Sequence, residues 1–202
     1  TFRVAEMGMV FAEQLAISGR GPDAMRVWQQ ATASAPPAAA GERMVNGDFE
    51  APLRGAGLDW HLLKSAGFRF SMDDFTRVSG GRALRLEFDG TANPEFAELL
   101  QWIVVEPNHD YHFQASLKTD NLNTDNGVYW SLSNATISPV QPRSWQTEPQ
   151  IGSNPWTTQE MNIHTDPDTT VLLLQLRRNA SSKTAQALKG IVWVDAISLR
   201  SK

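Results

Sequence analysis

After about residue 43, short segments in which every second residue is apolar follow one another along the chain. In residues 82–88, Leu84 and Leu86 alternate with Arg85 and Glu87. A period of two is that of a β-strand with one face in the core and the other in water. Turns rich in Gly, Pro, Asn and Asp separate these segments, which is typical of an antiparallel β-sandwich. The pattern predicts strands near 67–72, 82–89, 98–106, 110–119, 127–133, 158–164, 169–178 and 190–200.

Two of these predicted strands are apolar on both faces. Residues 99–105 and 171–174 contain Gln101 as their single polar side chain. A strand of this kind must be covered on both sides. The available cover is the helical segment that precedes the strands, so we expect helices and sandwich to form one structural unit. The residues expected beneath the helices are Trp102, Val104, Val171 and Leu173.

The first 35 residues have the pattern of a helical hairpin. Apolar residues at helical spacing run to Ile17, the segment SGRG at 18–21 ends the first helix, and Pro22 with Asp23 begins the second. The proline-rich and alanine-rich segment that follows cannot continue a helix. We therefore predict a helical hairpin at 1–35, a linker at 36–43 and a β-sandwich at 44–202.

Composition excludes several classes of function. The net charge of −4 gives no sequence-wide attraction to nucleic acid. The chain has no cysteine, which rules out disulfides, thiolate metal sites and cysteine nucleophiles. Its longest apolar runs fall well short of the roughly 20 residues that cross a bilayer. We therefore expect no nucleic-acid partner and no membrane span in this chain.

Several motifs within the predicted sandwich resemble one known family. They are NGDFE at 46–50, GGRALRL at 80–86, YHFQA at 111–115 and GIVWVDAISL at 190–199. In this order they resemble the galactose-binding-domain-like jelly roll, in particular bacterial carbohydrate-binding modules, over about residues 44–200. The hairpin, with Trp28 and Ala31, looks like a single tetratricopeptide-like unit, or the end of a helical array.

The resemblance implies a structural calcium site where the first and last motifs meet. Carried over by position, its ligands are Asp48, Glu50 and Asp195, and oxygen ligands of this kind suit calcium. The residues also allow a reading without metal. In that reading Asp48 forms an Asx turn, Glu50 pairs with an arginine, and Asp195 accepts hydrogen bonds from backbone amides at a bulge.

The resemblance also implies a sugar-binding groove on a concave sheet face. Sugar binding uses flat aromatic rings for stacking together with amide, hydroxyl and charged groups at the ring edge. We expect Trp60, Trp130, Trp156 and Trp193 to fill the core. Trp145 lies in a long polar segment at 134–157, which either gates the groove with Trp145 beside it or packs Trp145 against the sheet and blocks the groove; the sequence leaves both readings open. The predicted ligand-binding residues are Gln114, Lys118, Tyr129, Trp145, Gln175 and Arg177.

The sequence lacks the motifs of an enzyme. Its carboxylates show no pairing suited to glycoside hydrolysis, and neither a nucleophile elbow nor a phosphate-binding loop is present. We therefore predict a non-catalytic carbohydrate-binding or carbohydrate-associated module of a larger bacterial protein, placed outside the cytoplasm in the periplasm or cell envelope. The alternative is a structural or protein-interaction module that caps a tetratricopeptide-like scaffold, with the groove covered by the helices.

Overall fold

Two five-stranded antiparallel sheets lie face to face in the computed structural model, which describes residues 2–32, 41–135, 143–183 and 187–202. Sheet I has the strand order β1-β4-β9-β6-β7, and sheet II has the order β2-β3-β10-β5-β8. The helices are α1 (Phe2–Ile17) and α2 (Gly21–Ala31). The strands are β1 (His61–Leu62), β2 (Phe68–Asp73), β3 (Ala83–Asp89), β4 (Phe96–Val104), β5 (Asp110–Leu122), β6 (Tyr129–Asn134), β7 (Ser144–Gln146), β8 (Gly152–His164), β9 (Val171–Arg178) and β10 (Lys189–Ser201).

All eight strands that the alternating pattern predicts are present, so the predicted β-sandwich is confirmed. The pattern did not predict β1 and β7, because two or three residues are too few to show a period of two. It also placed the start of β8 at 158, whereas the strand begins at Gly152. The predicted polar segment at 134–157 therefore contains β7 and the first part of β8, while 136–142 lie outside the described residues.

The main core lies between the two sheets. Leu84, Leu117 and Val194 from sheet II are buried against Leu132 and Leu174 from sheet I. Leu84 and Leu117 occupy the apolar positions of alternating segments, so for these two strands the period of two correctly identified the inward face.

Two of the four tryptophans expected in the core lie there. Trp60 and Trp130 are fully buried, with ring centroids 6.2 Å apart. The indole N–H of Trp60 donates to the carbonyl oxygen of Asn46 at 2.9 Å, which satisfies its polar atom. Trp156 is half-buried in β8, and Trp193 lies on an outer face that is described below.

The helical hairpin packs on the outer face of sheet I. Ala12 and Leu15 of α1 and Trp28 of α2 form a second apolar cluster with Val171. The side chains of Trp102 and Val104 pack against this cluster, as expected, whereas Leu173 lies outside it. Neither helix in the part of the chain that the structure describes is long and apolar enough to cross a membrane.

The turn between the helices is tied to the sheet. The hydroxyl group of Thr170 donates to the carbonyl oxygen of Gly19 at 2.6 Å and accepts the N–H of Gly21 at 3.2 Å. These bonds fix the hairpin to sheet I at the end where the hairpin buries its apolar face.

The predicted linker at 36–43 reaches into the sandwich. Residues 33–40 lie outside the described residues, but Glu42 forms an isolated β-bridge with Arg200. The N–H of Arg43 also donates to the carbonyl oxygen of Leu199 at 2.9 Å. Residues 42–43 therefore belong to the sandwich, because their backbone is hydrogen-bonded to β10.

Candidate functional site

The two motifs that were predicted to close the sandwich meet in space. The N–H of Ile197 donates to the carbonyl oxygen of Gly47 at 2.8 Å. A Cβ atom on Gly47 would lie 1.9 Å from the carbonyl oxygen of Ile197, so a side chain has no room at this position. The first and last segments of the sandwich are therefore neighbours, as the sequence indicated.

Asp195 and Glu50 in these motifs both bind backbone amides of the loop between β2 and β3. The carboxylate of Asp195 is fully buried and accepts the N–H groups of residues 78–79 at 2.8 and 3.0 Å. Glu50 accepts the N–H groups of residues 81–82 at 2.7 and 3.1 Å. These backbone hydrogen bonds, the one from Gly81 foremost, lower the pKa of Glu50. Both carboxylates thus hold the same loop.

The predicted calcium ligands do not form a metal site. Asp48 is exposed, and its side chain accepts the N–H of Glu50 at 3.4 Å, close to the expected Asx turn. Both carboxylate oxygens of Asp195 accept hydrogen bonds from the protein, and Oε1 of Glu50 accepts two backbone N–H groups. Among the described residues, no group of three or more acidic or histidine side chains could hold a metal ion. The arrangement matches the reading without metal at Asp48 and Asp195.

The predicted sugar-binding residues lie on opposite faces of the molecule. Gln114 and Lys118 are on β5 in sheet II, while Tyr129, Gln175 and Arg177 are on β6 and β9 in sheet I. Each alternates with buried core residues of its own sheet, so each points away from the opposite sheet. The prediction of one groove formed by these strands is wrong, because periodicity separates inside from outside but does not assign a strand to a sheet.

The outer face of sheet I offers few free groups. Tyr129 is 8% exposed, and its hydroxyl group donates to Asn179 at 3.2 Å. Arg177 pairs with Glu95 at 3.0 Å. The side-chain amide of Gln175 makes a long bond of 3.5 Å to a backbone oxygen. The helices cover the other end of this face.

Trp145 lies at the edge of the core rather than on a binding face. It pairs with the fully buried Leu132 across β6 and β7, and its half-buried ring packs against the main core. The guanidinium carbon of Arg143 lies 5.4 Å from the ring centroid. Of the two readings that the sequence left open, the structure matches the one in which Trp145 packs against the sheet.

The outer face of sheet II carries a groove. Its volume is about 340 Å³. Strands β5, β8 and β10 form its floor, and the loop between β2 and β3 forms one side. Its lining residues are Thr76, Lys118, Thr119, Asp120, Ser153, Asn154, Pro155 and Trp193.

Trp193 lies in the floor of this groove. It lies opposite Arg85 and Lys118 on the neighbouring strands, and both are outward-facing positions. The ammonium nitrogen of Lys118 is 5.1 Å from a ring centroid of the indole, within the range of a cation–π contact. The expectation that Trp193 fills the core is wrong, although the ring is only 7% exposed, because neighbouring outer-face side chains cover it.

The polar wall of the groove is held by hydrogen bonds between β5 and β8. The side-chain amide of Asn154 donates to the hydroxyl group of Thr119 at 2.9 Å and to the carbonyl oxygen of Ile151 at 2.7 Å. The hydroxyl group of Ser153 donates to Asp120 at 3.3 Å. Within the part of the chain that the structure describes, neither the side-chain oxygen of Asn154 nor the ammonium group of Lys118 has a hydrogen-bond partner. Both remain available to a ligand.

Asp73 connects the indole to the loop beside it. Its carboxylate accepts the indole N–H of Trp193 at 2.8 Å and the N–H groups of residues 75–76 at 2.9 and 3.0 Å. Burial acts to raise the pKa of Asp73, but the hydrogen bonds from Thr76, Trp193 and Phe75 outweigh it and lower the pKa. The ionised carboxylate therefore fixes this side of the groove.

Of the groove residues, the sequence indicated only Lys118. The others come from a loop, from the irregular start of β8, and from a tryptophan whose two neighbours are apolar. The pairing of β5 with β8 shifts register between Leu117 and Leu122, and this shift opens space beside the sheet. A register shift of this kind leaves no mark in the hydrophobic pattern.

The sandwich is similar to solved structures of carbohydrate-binding modules. A family 16 carbohydrate-binding module matches 77% of this chain and 97% of its own, with a TM-score of 0.53 and 16% identity. The CBM22-1-GH10 portion of Clostridium thermocellum endo-1,4-β-D-xylanase 10B, solved in complex with xylohexaose, matches 80% of this chain and 28% of its own, with a TM-score of 0.52 and 11% identity. The predicted resemblance is thus confirmed at the level of the fold.

The same fold also occurs within a catalytic protein. The enzymatically active domain of bacteriophage CBA120 tailspike protein 4 matches 80% of this chain and 22% of its own, with a TM-score of 0.54 and 8% identity. The chain matches no protein-family model and no curated protein sequence. Because a fold hosts many functions, function must be argued from the groove.

Proposed function

We propose that this chain is a non-catalytic carbohydrate-binding module and that the groove beside Trp193 on sheet II is its binding site. The observation that carries the proposal is the lining of this groove. It combines an indole, an ammonium group, a side-chain amide and several hydroxyl groups in one concave surface. Its volume lies within the range of about 300–1,000 Å³ that is usual for small-ligand sites.

The lining suits the chemistry of a sugar. A pyranose presents apolar C–H groups that pack on an aromatic ring, and hydroxyl groups that both donate and accept hydrogen bonds. Lys118 can donate, the free oxygen of Asn154 can accept, and the hydroxyl groups of Thr76 and Ser153 can do either. A neutral, hydroxyl-rich ligand therefore finds complementary partners here.

The groove lacks the acid pair of a glycosidase. Asp120 is the only carboxylate among its lining residues, whereas glycoside hydrolysis usually requires two carboxyl groups on either side of the scissile bond. Together with the fold shared with carbohydrate-binding modules, this supports binding without catalysis. The proposal includes an extracytoplasmic location, where polysaccharides are accessible to such a module.

Calorimetric titration with oligosaccharides tests the proposal. Xylohexaose, cellohexaose and mannohexaose are suitable probes, since xylohexaose is the ligand of one structural neighbour. We expect at least one probe to bind. We also expect Asn154→Ala and Lys118→Ala to raise its Kd about tenfold, the effect of losing about 1.4 kcal/mol of contact energy.

Gln175→Ala on the outer face of sheet I is the matched control and should leave the Kd unchanged. Loss of binding in Gln175→Ala but not in Asn154→Ala would move the site to sheet I. If the folded protein binds none of the probes, the proposal of carbohydrate binding is refuted.

One observation favours the alternative of a protein-interaction module. The outward face of α1 carries several apolar side chains that are more than half exposed: Val4, Met7, Val10 and Phe11. Such a face is typical of a helix that packs against a further element. The helices also cover part of sheet I, as that alternative requires, but they leave the groove on sheet II open.

A further inference from the structure

The loop between β2 and β3, residues 74–82, carries the most exposed large apolar side chain in the described chain. Phe75 is 94% exposed, and Val78 in the same loop is 49% exposed. A phenylalanine exposed to this extent contributes nothing to the core, so truncating it tests its role in binding without disturbing the fold.

This loop is held in one conformation along its whole length. At its start, Asp73 accepts the N–H groups of residues 75–76. In its middle, the side chain of Arg77 donates to the carbonyl oxygen of Gly80 at 2.9 Å. At its end, Asp195 accepts the N–H groups of residues 78–79 and Glu50 accepts those of residues 81–82, as described above. Phe75 is therefore exposed on a loop that hydrogen bonds hold in place.

The loop forms the rim of the groove. Thr76, the residue after Phe75, lines the groove, and Asp73 joins the loop to the indole N–H of Trp193. Phe75 thus lies one residue beyond the groove wall. The carboxylate of Asp73 thus binds both the backbone N–H of Phe75 and the indole N–H of Trp193.

We infer that Phe75 is a second aromatic platform, which extends the groove so that the site takes a chain of several sugar units. This inference rests on the proposed function. A single sugar unit occupies the groove beside Trp193, and the next units along the chain pack on Phe75. Because the loop is already ordered, this contact is made without the entropic cost of fixing a mobile segment.

The surroundings of Phe75 favour a neutral ligand over a lipid surface. Asp74 precedes it, and Asp73 lies beneath it with a lowered pKa and hence a negative charge. Membranes that recruit proteins through charge are anionic and attract basic segments. The two arginines of this loop, Arg77 and Arg82, only balance Asp73 and Asp74, so the loop has no basic cluster and does not match that chemistry.

The test compares long and short ligands on matched variants. Xylohexaose and xylobiose, or the six-unit and two-unit forms of whichever probe binds, are titrated calorimetrically into wild type, Phe75→Ala and Phe75→Trp. We expect Phe75→Ala to raise the Kd of the six-unit probe about tenfold and to leave that of the two-unit probe within about twofold. Phe75→Trp should keep the wild-type Kd, since it preserves an aromatic surface.

Phe11→Ala is the matched control, because Phe11 is a phenylalanine that is also more than half exposed but lies on α1, which packs on the opposite sheet. It should change neither Kd. Since Phe75 is almost fully exposed, its truncation should leave the melting temperature unchanged, which a thermal scan verifies. If Phe75→Ala binds six-unit and two-unit probes like wild type while Asn154→Ala binds them weakly, the second platform is refuted and the groove stands. If wild type binds no probe, both proposals fall.

Discussion

Arg178 at the end of β9 has no accessible surface, yet the acceptors of its guanidinium group among the described residues are all neutral. Its nitrogen atoms reach Asn93 at 2.6 Å, Pro94 at 2.7 Å, and Thr124 at 3.0 Å. A further bond goes to the carbonyl oxygen of Asn126 at 3.3 Å. Burial lowers the pKa of the guanidinium, which nevertheless stays charged. One side chain thus ties the loop before β4 to the loop before β6.

Replacing this side chain should destabilise the fold strongly. We expect Arg178→Met to lower the free energy of unfolding by about 3 kcal/mol, because several buried acceptors lose their donor at once. The neighbouring Arg177 is the matched control. It is partly exposed and forms a surface ion pair with Glu95, so Arg177→Met should cost less than about 1 kcal/mol. Urea denaturation of both variants measures the difference, and equal effects would contradict this role for Arg178.

At the scale of elements, the loop between β2 and β3 depends on charge rather than on apolar burial. Asp73, Asp195 and Glu50 supply the acceptors for the amides of this loop. Its apolar side chains, Phe75 and Val78, are exposed and do not pack in the core. Its order should therefore depend on pH. Charge-assisted hydrogen bonds of this kind are stronger than neutral ones.

Asp73 gives this dependence a definite sign. Its pKa in the folded protein is lower than the ordinary value of 3.8. The carboxylate therefore stabilises the fold at pH values above about 4, and this contribution is lost as the pH falls through the lower folded value. We expect Asp73→Asn to lower the free energy of unfolding by about 1 kcal/mol at pH 7, where the charge-assisted bonds are lost. The difference from wild type should shrink towards pH 3.

Thermal melts of both proteins at pH 7 and pH 3 measure this effect. A difference in melting temperature that stays constant between the two pH values would show that the ionised carboxylate is not the cause.

The sequence predicts the strands well because alternation reports burial directly. Leu84 and Leu117 lie inward as their positions indicated. Alternation does not show to which sheet a strand belongs, because β5 and β9 have the same alternation of inward and outward side chains but lie in opposite sheets. Predicted binding residues were therefore spread over two faces.

The groove could not be read from the sequence for a related reason. Trp193 lies between Val192 and Val194, and three apolar residues in a row do not reveal which of them faces outward. The pairing of β10 with β5 decides it by placing Trp193 opposite Lys118. Asn154 joins the groove through an irregular pairing of β8, which depends on tertiary contacts.

At the scale of the whole molecule, the helical hairpin and the sandwich share apolar surface. Trp28 of α2 is 3% exposed and belongs to the same cluster as Leu58 and Val171 of the sandwich. A Cβ atom on Gly57 would lie 2.5 Å from the indole of Trp28, and Gly57 has a φ of +70° that favours glycine. The helix and the sandwich are therefore fitted closely to each other.

This fit predicts that the two parts unfold together. Helical circular dichroism and the fluorescence of the buried core tryptophans should report one coincident transition in urea, as for a two-state domain.

We expect Trp28→Ala to lower the free energy of unfolding by about 3–5 kcal/mol, the range for removing a buried tryptophan. The helical signal should then be lost at lower urea than the core fluorescence, because the hairpin loses its main contact with sheet I. Phe11→Ala, which removes an exposed ring from α1, should keep both signals coincident. Separate transitions in the wild-type protein would instead show that the hairpin is an independent unit, and the apolar outer face of sheet I would then need another cover.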